Sequence, residues 1–256
     1  MFGSLTWLTR ILGALVLVVV AALISKRQKV DLEKDMLTAV VRAFVQLIAI
    51  GYVLEFIFAA EGPLWILLVV AVMVGIAGYT AGQRGQGVPR SLVVATAAVS
   101  CGAFFTVGAL LLLQVFPYQP RYIIPIAGMI VGNSMVVCGL VMARLRDDIH
   151  LQKPLIEAAL ALGASQRQAM SGQLKRAMRA AMTPIVDSTK TVGLISLPGA
   201  MTGMILAGAP VLEAVQVQII VMYMLIGAAA ISGLTAAYLT YRQFFNRAHQ
   251  LIEIKP

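Results

Sequence analysis

RLRDDIHLQKPLIEAALALGASQRQAMSGQLKRAMRAAMT, residues 144–183, is a polar and basic stretch in a chain otherwise built for lipid. Apolar segments long enough to cross a bilayer lie on both sides of it. A membrane bundle needs no basic loop of this size to stay in lipid. The stretch therefore reads as a docking element, and a soluble engine is the natural partner.

Of 256 residues, 60% are hydrophobic and 12% charged, against about 45–50% apolar and about 25% charged in soluble domains. Mean hydropathy is +0.89. A soluble core of this length has no room for such an excess, so lipid must solvate much of the chain. The length suits one helical membrane domain, residues 1–256, with no separate soluble catalytic domain. The formal charge of +9 comes from basic residues beside apolar spans. That is the pattern of orientation signals, not of nucleic-acid binding. Cys101 and Cys138 both fall in apolar spans and read as small packing residues. The first apolar run passes straight into SKRQK (25–29) with no small-residue cleavage site, which predicts a retained first helix.

About 20 apolar residues cross a bilayer as a helix. Continuous runs predict an all-α polytopic bundle of about seven transmembrane helices, at roughly 5–25, 37–59, 63–80, 92–116, 122–143, 184–207 and 214–240. Most of the 20 Lys and Arg residues fall in segments 26–35, 81–91, 144–183 and the C-terminus. Seven spans put all four on one side, with the N-terminus outside and the C-terminus cytoplasmic. The outer loops are then very short, so successive helices pack antiparallel. GxxxG pairs at Gly78–Gly82, Gly128–Gly132 and Gly199–Gly203 allow close helix approach, within the chain or across a homodimer.

In the basic loop, Pro154 can open a helix, Glu157 then sits where the helix dipole favours a carboxylate, and Ala158 and Ala159 are strong helix formers. Gly163 breaks the run. Met170, Leu174, Ala177, Met178, Ala181 and Met182 recur at helical spacing and predict an amphipathic helix leading into the sixth span, with Lys175, Arg176 and Arg179 off its apolar face. Such a helix could simply connect two spans at the membrane surface. GQRGQG (82–87) lacks the lysine and hydroxyl of a phosphate loop and reads as a flexible turn.

Ionisable groups inside a bilayer cost at least about 2.5–3.5 kcal/mol, so each needs a reason. Arg42 and Gln46, one turn apart, form either an interfacial anchor or a polar stripe on a pathway. Glu55 faces outer water or offers oxygen to a cation. Asp187 and Lys190, at i and i+3, form a structural pair or a translocation site, with Asp187 expected in the first turn of a helix opened by Pro184. Asn133 and Ser134 sit mid-span and need partners. Met129, Met135, Met201 and Met204 offer soft sulfur or fill gaps. His150 and His249 make no recognisable metal site. A membrane enzyme would have to use the Asp147–Asp148 pair or a Ser188/Lys190 dyad, and nothing else supports either. An ATP-independent carrier would show inverted repeats, and none is visible.

The pattern EAAxxxG, Glu157 to Gly163, resembles the loop by which ABC-transporter permeases engage their ATPases. The IxLP that follows it in importers is absent at Gln173, Lys175 and Arg176, which sets this chain apart from them. A second resemblance runs nearly the whole length. DSTKTVGLISLPGAMTGMILAG (187–208), EAVQVQI (213–219), RAFVQL (42–47) and IPIAGMIVGNSM (124–135) are similar to the FetB/YbbM family of ABC-type iron-export permeases, relatives of plant aluminium-sensitivity permeases. This resemblance implies an inner (plasma) membrane permease that exports iron, pairs as a homodimer and is driven by a separate FetA-like ATPase carrying ATP and magnesium. Another metal or UDP-glucose is the alternative cargo. It also implies ATPase coupling through Glu157, Ala158, Ala159, Gly163, Ala164 and Ser165. No cofactor is expected on this chain.

Overall fold

A computed structural model describes residues 4–59, 62–246 and 248–252, and they fold as helices joined by short turns. Within residues 1–61, α1 (Ser4–Arg27) and α2 (Glu33–Ala59) form a hairpin. Its corner is fixed by Ser25, which is 5% exposed. The Ser25 hydroxyl accepts from the Leu32 N–H at 3.2 Å and donates to Glu33 Oε2 at 3.5 Å. Apart from buried Ala22 and Ile57, most of the hairpin's described apolar side chains are outward, Leu17 and Leu47 among them. A helix apolar all round is satisfied only by lipid or by other helices.

Residues 62–256 form a second unit. It holds α3 (Pro63–Arg84), α4 (Ser91–Leu112), α5 (Pro120–Leu151), α6 (Lys153–Ala161), α7 (Gln166–Ala169), α8 (Ser171–Thr191), α9 (Gly199–Leu206) and α10 (Val211–Gln243). Prolines mark the starts. Pro63, Pro120 and Pro154 stand in first turns, where a missing N–H loses nothing. α10 is the hub, packing on α4, α5, α8 and α9, while α3 packs on α4 and α5. Val99, Ile130, Val141, Met142, Leu145 and Phe244 are fully buried there.

Small residues set the spacing between these helices. A Cβ on Gly78 would lie 2.7 Å from Thr96 Cα, and one on Gly82 would lie 2.9 Å from Leu92 Cα. That GxxxG pair therefore joins α3 to α4 inside one chain. A Cβ on Gly102 would meet Ser232 Cβ at 2.8 Å and the Ala228 carbonyl oxygen at 3.2 Å, so α4 and α10 also approach closely there. Cys138 and Cys101 are free. The Cys138 thiol donates to the Ser232 carbonyl at 3.6 Å, and Cys101 accepts from the Thr235 hydroxyl at 3.5 Å.

Six helices among the described residues are long and apolar enough to cross a membrane: α1, α2, α3, α4, α5 and α10. The expected sixth span, 184–207, is not continuous. It divides into the end of α8, an irregular stretch at 192–198, and the eight residues of α9. Pro184 does not open a helix either. It lies inside α8, which began at Ser171. GQRGQG is the end of α3 followed by a turn at 85–87 that packs on α5. A Cβ on Gly85 would lie 3.1 Å from Met142 Cβ, and the Gln86 carbonyl accepts from the Arg146 guanidinium.

Candidate functional site

The basic loop folds into α6, α7 and the first half of α8. α5 has 32 residues, about 48 Å at helical rise, which exceeds the roughly 30 Å apolar layer of a bilayer. Its last turns therefore project beyond the lipid and carry Arg146, Asp147 and Asp148. Ile156 anchors α6, being fully buried. Around it Leu151 (77%), Leu155 (66%) and Leu162 (90%) stand exposed, with Ala158 also exposed between them. Leu155, Ala158 and Leu162, at spacings of three and four residues, share one stripe along α6 and its cap, and Leu151 is exposed at the end of α5, before the break at Gln152. Glu157 beside the stripe is 3.8 Å from Lys153.

Hydrogen bonding at the end of α6 explains the glycine. The Gly163 N–H donates to the Leu160 carbonyl at 3.0 Å, and the Ala164 N–H to the Ala159 carbonyl at 3.0 Å. This is a Schellman cap, which requires a left-handed residue at Gly163, and its φ is 87°. Ser165 then caps α7. Its hydroxyl accepts from the Gln168 N–H at 3.3 Å while Gln168 Oε1 accepts from the Ser165 N–H at 2.9 Å. The two caps abut, so the turn is rigid although it is exposed.

The turn is wired into the bundle. Arg176 on α8 contacts Asp148 on α5 at 3.2 Å and donates to Gln152 at 2.8 Å. Arg146 pairs with Asp147 at 2.7 Å. Both acids of the Asp147–Asp148 pair are thus ion-paired surface groups. Met170, Ala177 and Ala181 bury the apolar face of α8 against the core, as the periodicity predicts, and Lys175, Arg176 and Arg179 are exposed.

The polar span residues separate into groups. On α5, half-buried Asn133 donates to the Leu225 carbonyl of α10 at 3.1 Å. Ser134 is fully buried, and its hydroxyl has no hydrogen-bond partner. Met129 and Met135 are partly buried at the core edge. On α8, Lys190 lies 3.4 Å from Asp187, and both side chains are more than half exposed. Asp187 is in the last turn of α8, not a first turn, so the helix dipole opposes its charge and favours Lys190. Met201 and Met204 are half-buried on α9. Arg42 and Gln46 are exposed on α2. Glu55 belongs to α2, and its side chain lies outside the described residues. Among the described residues no three His, Cys, Asp or Glu side chains gather where they could hold a metal.

Sequence reading missed the interruption itself. After α8, Gly193 turns at φ 81°, and its N–H donates to the Ser196 carbonyl at 2.9 Å. Leu194, Ile195 and Leu197 are strongly exposed around it. α9 packs against α10 and is about 12 Å long. The Gly193…Pro198-Gly199 spacing was the available signal, because Gly/Pro-interrupted apolar segments mark discontinuous membrane helices. Sequence reading also missed Gln218, 5% exposed on α10 with its carbonyl oxygen unpartnered.

Fold and site together define a polytopic helical membrane protein that presents a capped, apolar turn beyond its bundle. The chain belongs to the family described as "Uncharacterised protein family (UPF0014)", matched over residues 8–245. It is 54% identical to "Protein ALUMINUM SENSITIVE 3" of Arabidopsis thaliana over 93% of this chain and 88% of that protein. It is 49% identical to "UPF0014 membrane protein STAR2" of Oryza sativa subsp. japonica, over 93% and 84%. It is 43% identical to "Probable iron export permease protein FetB" of Escherichia coli (strain K12), over 93% and 92%. No solved structure matches the chain.

Proposed function

We propose that the whole chain is one permease domain, the membrane-spanning subunit of an ABC exporter in the inner (plasma) membrane, in which the interrupted α8–α9 segment makes a seventh crossing and so leaves the N-terminus outside and the C-terminus cytoplasmic. It works as a homodimer with a separate ATPase subunit that binds ATP and magnesium. The observation that carries this reading is the exposed Leu155, Ala158 and Leu162 stripe of α6 leading into a doubly capped turn. An apolar stripe held rigidly outside the lipid needs a protein partner to cover it. The links Arg176–Asp148 and Arg176–Gln152 give that partner leverage on α5 and α8. Closure of the ATPase would move α6, and α5 and α8 would follow as one body.

The cargo in this proposal is iron, supported by the 43% identical relative named as an iron export permease. The break at 192–198 supports a pathway along α8 and α9. Irregular backbone at membrane depth is tolerated only where protein covers it or water lines it, and hard cations favour the oxygen donors such backbone exposes. The test is reconstitution of the chain with its ATPase in proteoliposomes, scanning iron, other divalent metals and UDP-glucose. Iron should stimulate ATP hydrolysis, and Leu155→Asp with Leu162→Asp should abolish both stimulation and co-purification of the ATPase. Full transport by the chain alone would sink the proposal.

A further inference from the structure

Where α7 and the first turns of α8 meet the last turns of α10, a cleft of about 460 Å³ opens. Small-molecule sites span about 300–1,000 Å³. The cleft is amphipathic. Leu174 and Met178 of α8 and Leu234 of α10 give it an apolar lining, and Arg167 and Lys175 line it as well. No acidic residue lines it. Among the described residues neither cation is in an ion pair, so two positive charges face the opening uncompensated. Arg242 adds a third beside it, 5.4 Å over the Tyr238 ring. Ser171 and Tyr238 supply hydroxyls to the same cleft.

This combination selects an occupant. Uncompensated cations and hydroxyl donors recognise a phosphate. A free phosphate would gain nothing from a lining of leucine and methionine, whereas an acyl chain would. Leu234 is 59% exposed, so the apolar lining reaches the outer surface of α10, which an apolar helix spanning a bilayer turns to lipid. The cleft stands at the end of α10, the level at which lipid headgroups lie. Basic pockets between membrane helices at that level bind anionic headgroups. We propose that this cleft binds one anionic phospholipid, its phosphate between Arg167 and Lys175 and a chain along Leu174, Met178 and Leu234. Bound lipid would tie α7 to α10 and so steady the capped turn preceding α7. The site stands whether or not an ATPase docks on α6.

The test uses the full chain in a neutral detergent, titrated with phosphatidylglycerol, phosphatidylcholine or inorganic phosphate. Readouts are native mass spectrometry and melting temperature. Phosphatidylglycerol should remain bound and raise the melting temperature, while the other two do neither. Each basic charge near an anionic lipid is worth about fivefold, so Arg167→Gln with Lys175→Gln should weaken phosphatidylglycerol about twenty-five-fold. The unliganded melting temperature should hold, since both side chains are exposed. Arg144→Gln with Arg179→Gln removes the same charge outside the cleft and should bind as the parent does. Leu234→Trp, which blocks the apolar lining and leaves every charge, should also lose the lipid. Equal loss in both double variants, equal binding of phosphatidylcholine, or displacement by inorganic phosphate would overturn the proposal, as would unimpaired binding by Leu234→Trp.

Discussion

Gly163 offers the sharpest test of how the turn works. Its φ of 87° puts it in the left-handed region, and a Cβ built there meets nothing within 4 Å. Replacement therefore carries no clash, and the whole penalty is backbone strain. For a β-branched residue in this region the penalty is about 1–3 kcal/mol. A central figure of about 2 kcal/mol lowers the capped population relative to uncapped forms by about thirtyfold. The penalty is local, because only the Gly163–Leu160 and Ala164–Ala159 hydrogen bonds depend on it. Gly163→Val should thus leave the melting temperature of the bundle within a degree or two. Amide exchange at residues 163 and 164 should rise about thirtyfold, and ATPase stimulation should collapse. Gly163→Asn has a similar volume but tolerates the left-handed conformation, so it should keep slow exchange and most of the coupling. If Asn and Val fail equally, bulk at the docking surface matters and the cap does not. If Val is as protected and as coupled as the parent, the turn has no mechanical role.

Gly78→Val should destabilise the bundle by about 1–3 kcal/mol, since the new Cβ meets the Thr96 backbone, which has nowhere to go; chemical denaturation in micelles measures it. Gly203→Leu meets nothing within 4 Å, so chain stability should change by less than about 0.5 kcal/mol. If two copies pair through α9, cross-linking at Met204→Cys should fall in that variant, and unchanged cross-linking would exclude α9 from the interface. Asn133→Leu removes the bond to the Leu225 carbonyl, worth about 1 kcal/mol. Transport that falls much further than stability does would assign Asn133 to the pathway, and parallel losses would make it a structural tie.

Much of the capped turn after α6 was legible because its causes are local. A left-handed glycine ending one helix and a serine capping the next lie within three residues, so EAALALGAS carries the whole instruction. The apolar periodicity of Met170 to Met182 also survived intact. Pro184 was misread for the opposite reason. A proline ordinarily opens or ends a helix, yet buried Ala177 and Ala181 hold α8 on the core so firmly that the helix runs straight through it. That continuation moved Asp187 from an expected first turn to a last one and reversed the sign of its dipole interaction.

From the amino-acid order alone came the solvent, the helical class and the basic loop, because hydropathy and capping act over a few residues. The break at 192–198 was missed because apolar composition alone was weighed there, and the Gly193…Pro198-Gly199 breakers within it were passed over. Tertiary structure alone decided which glycines meet a neighbour: Gly78 touches Thr96, while Gly203 with the same spacing motif touches nothing. It alone brought Arg167 and Lys175 over Leu234 and Tyr238. Such meetings depend on how distant helices seat against one another, and no local run of residues encodes that.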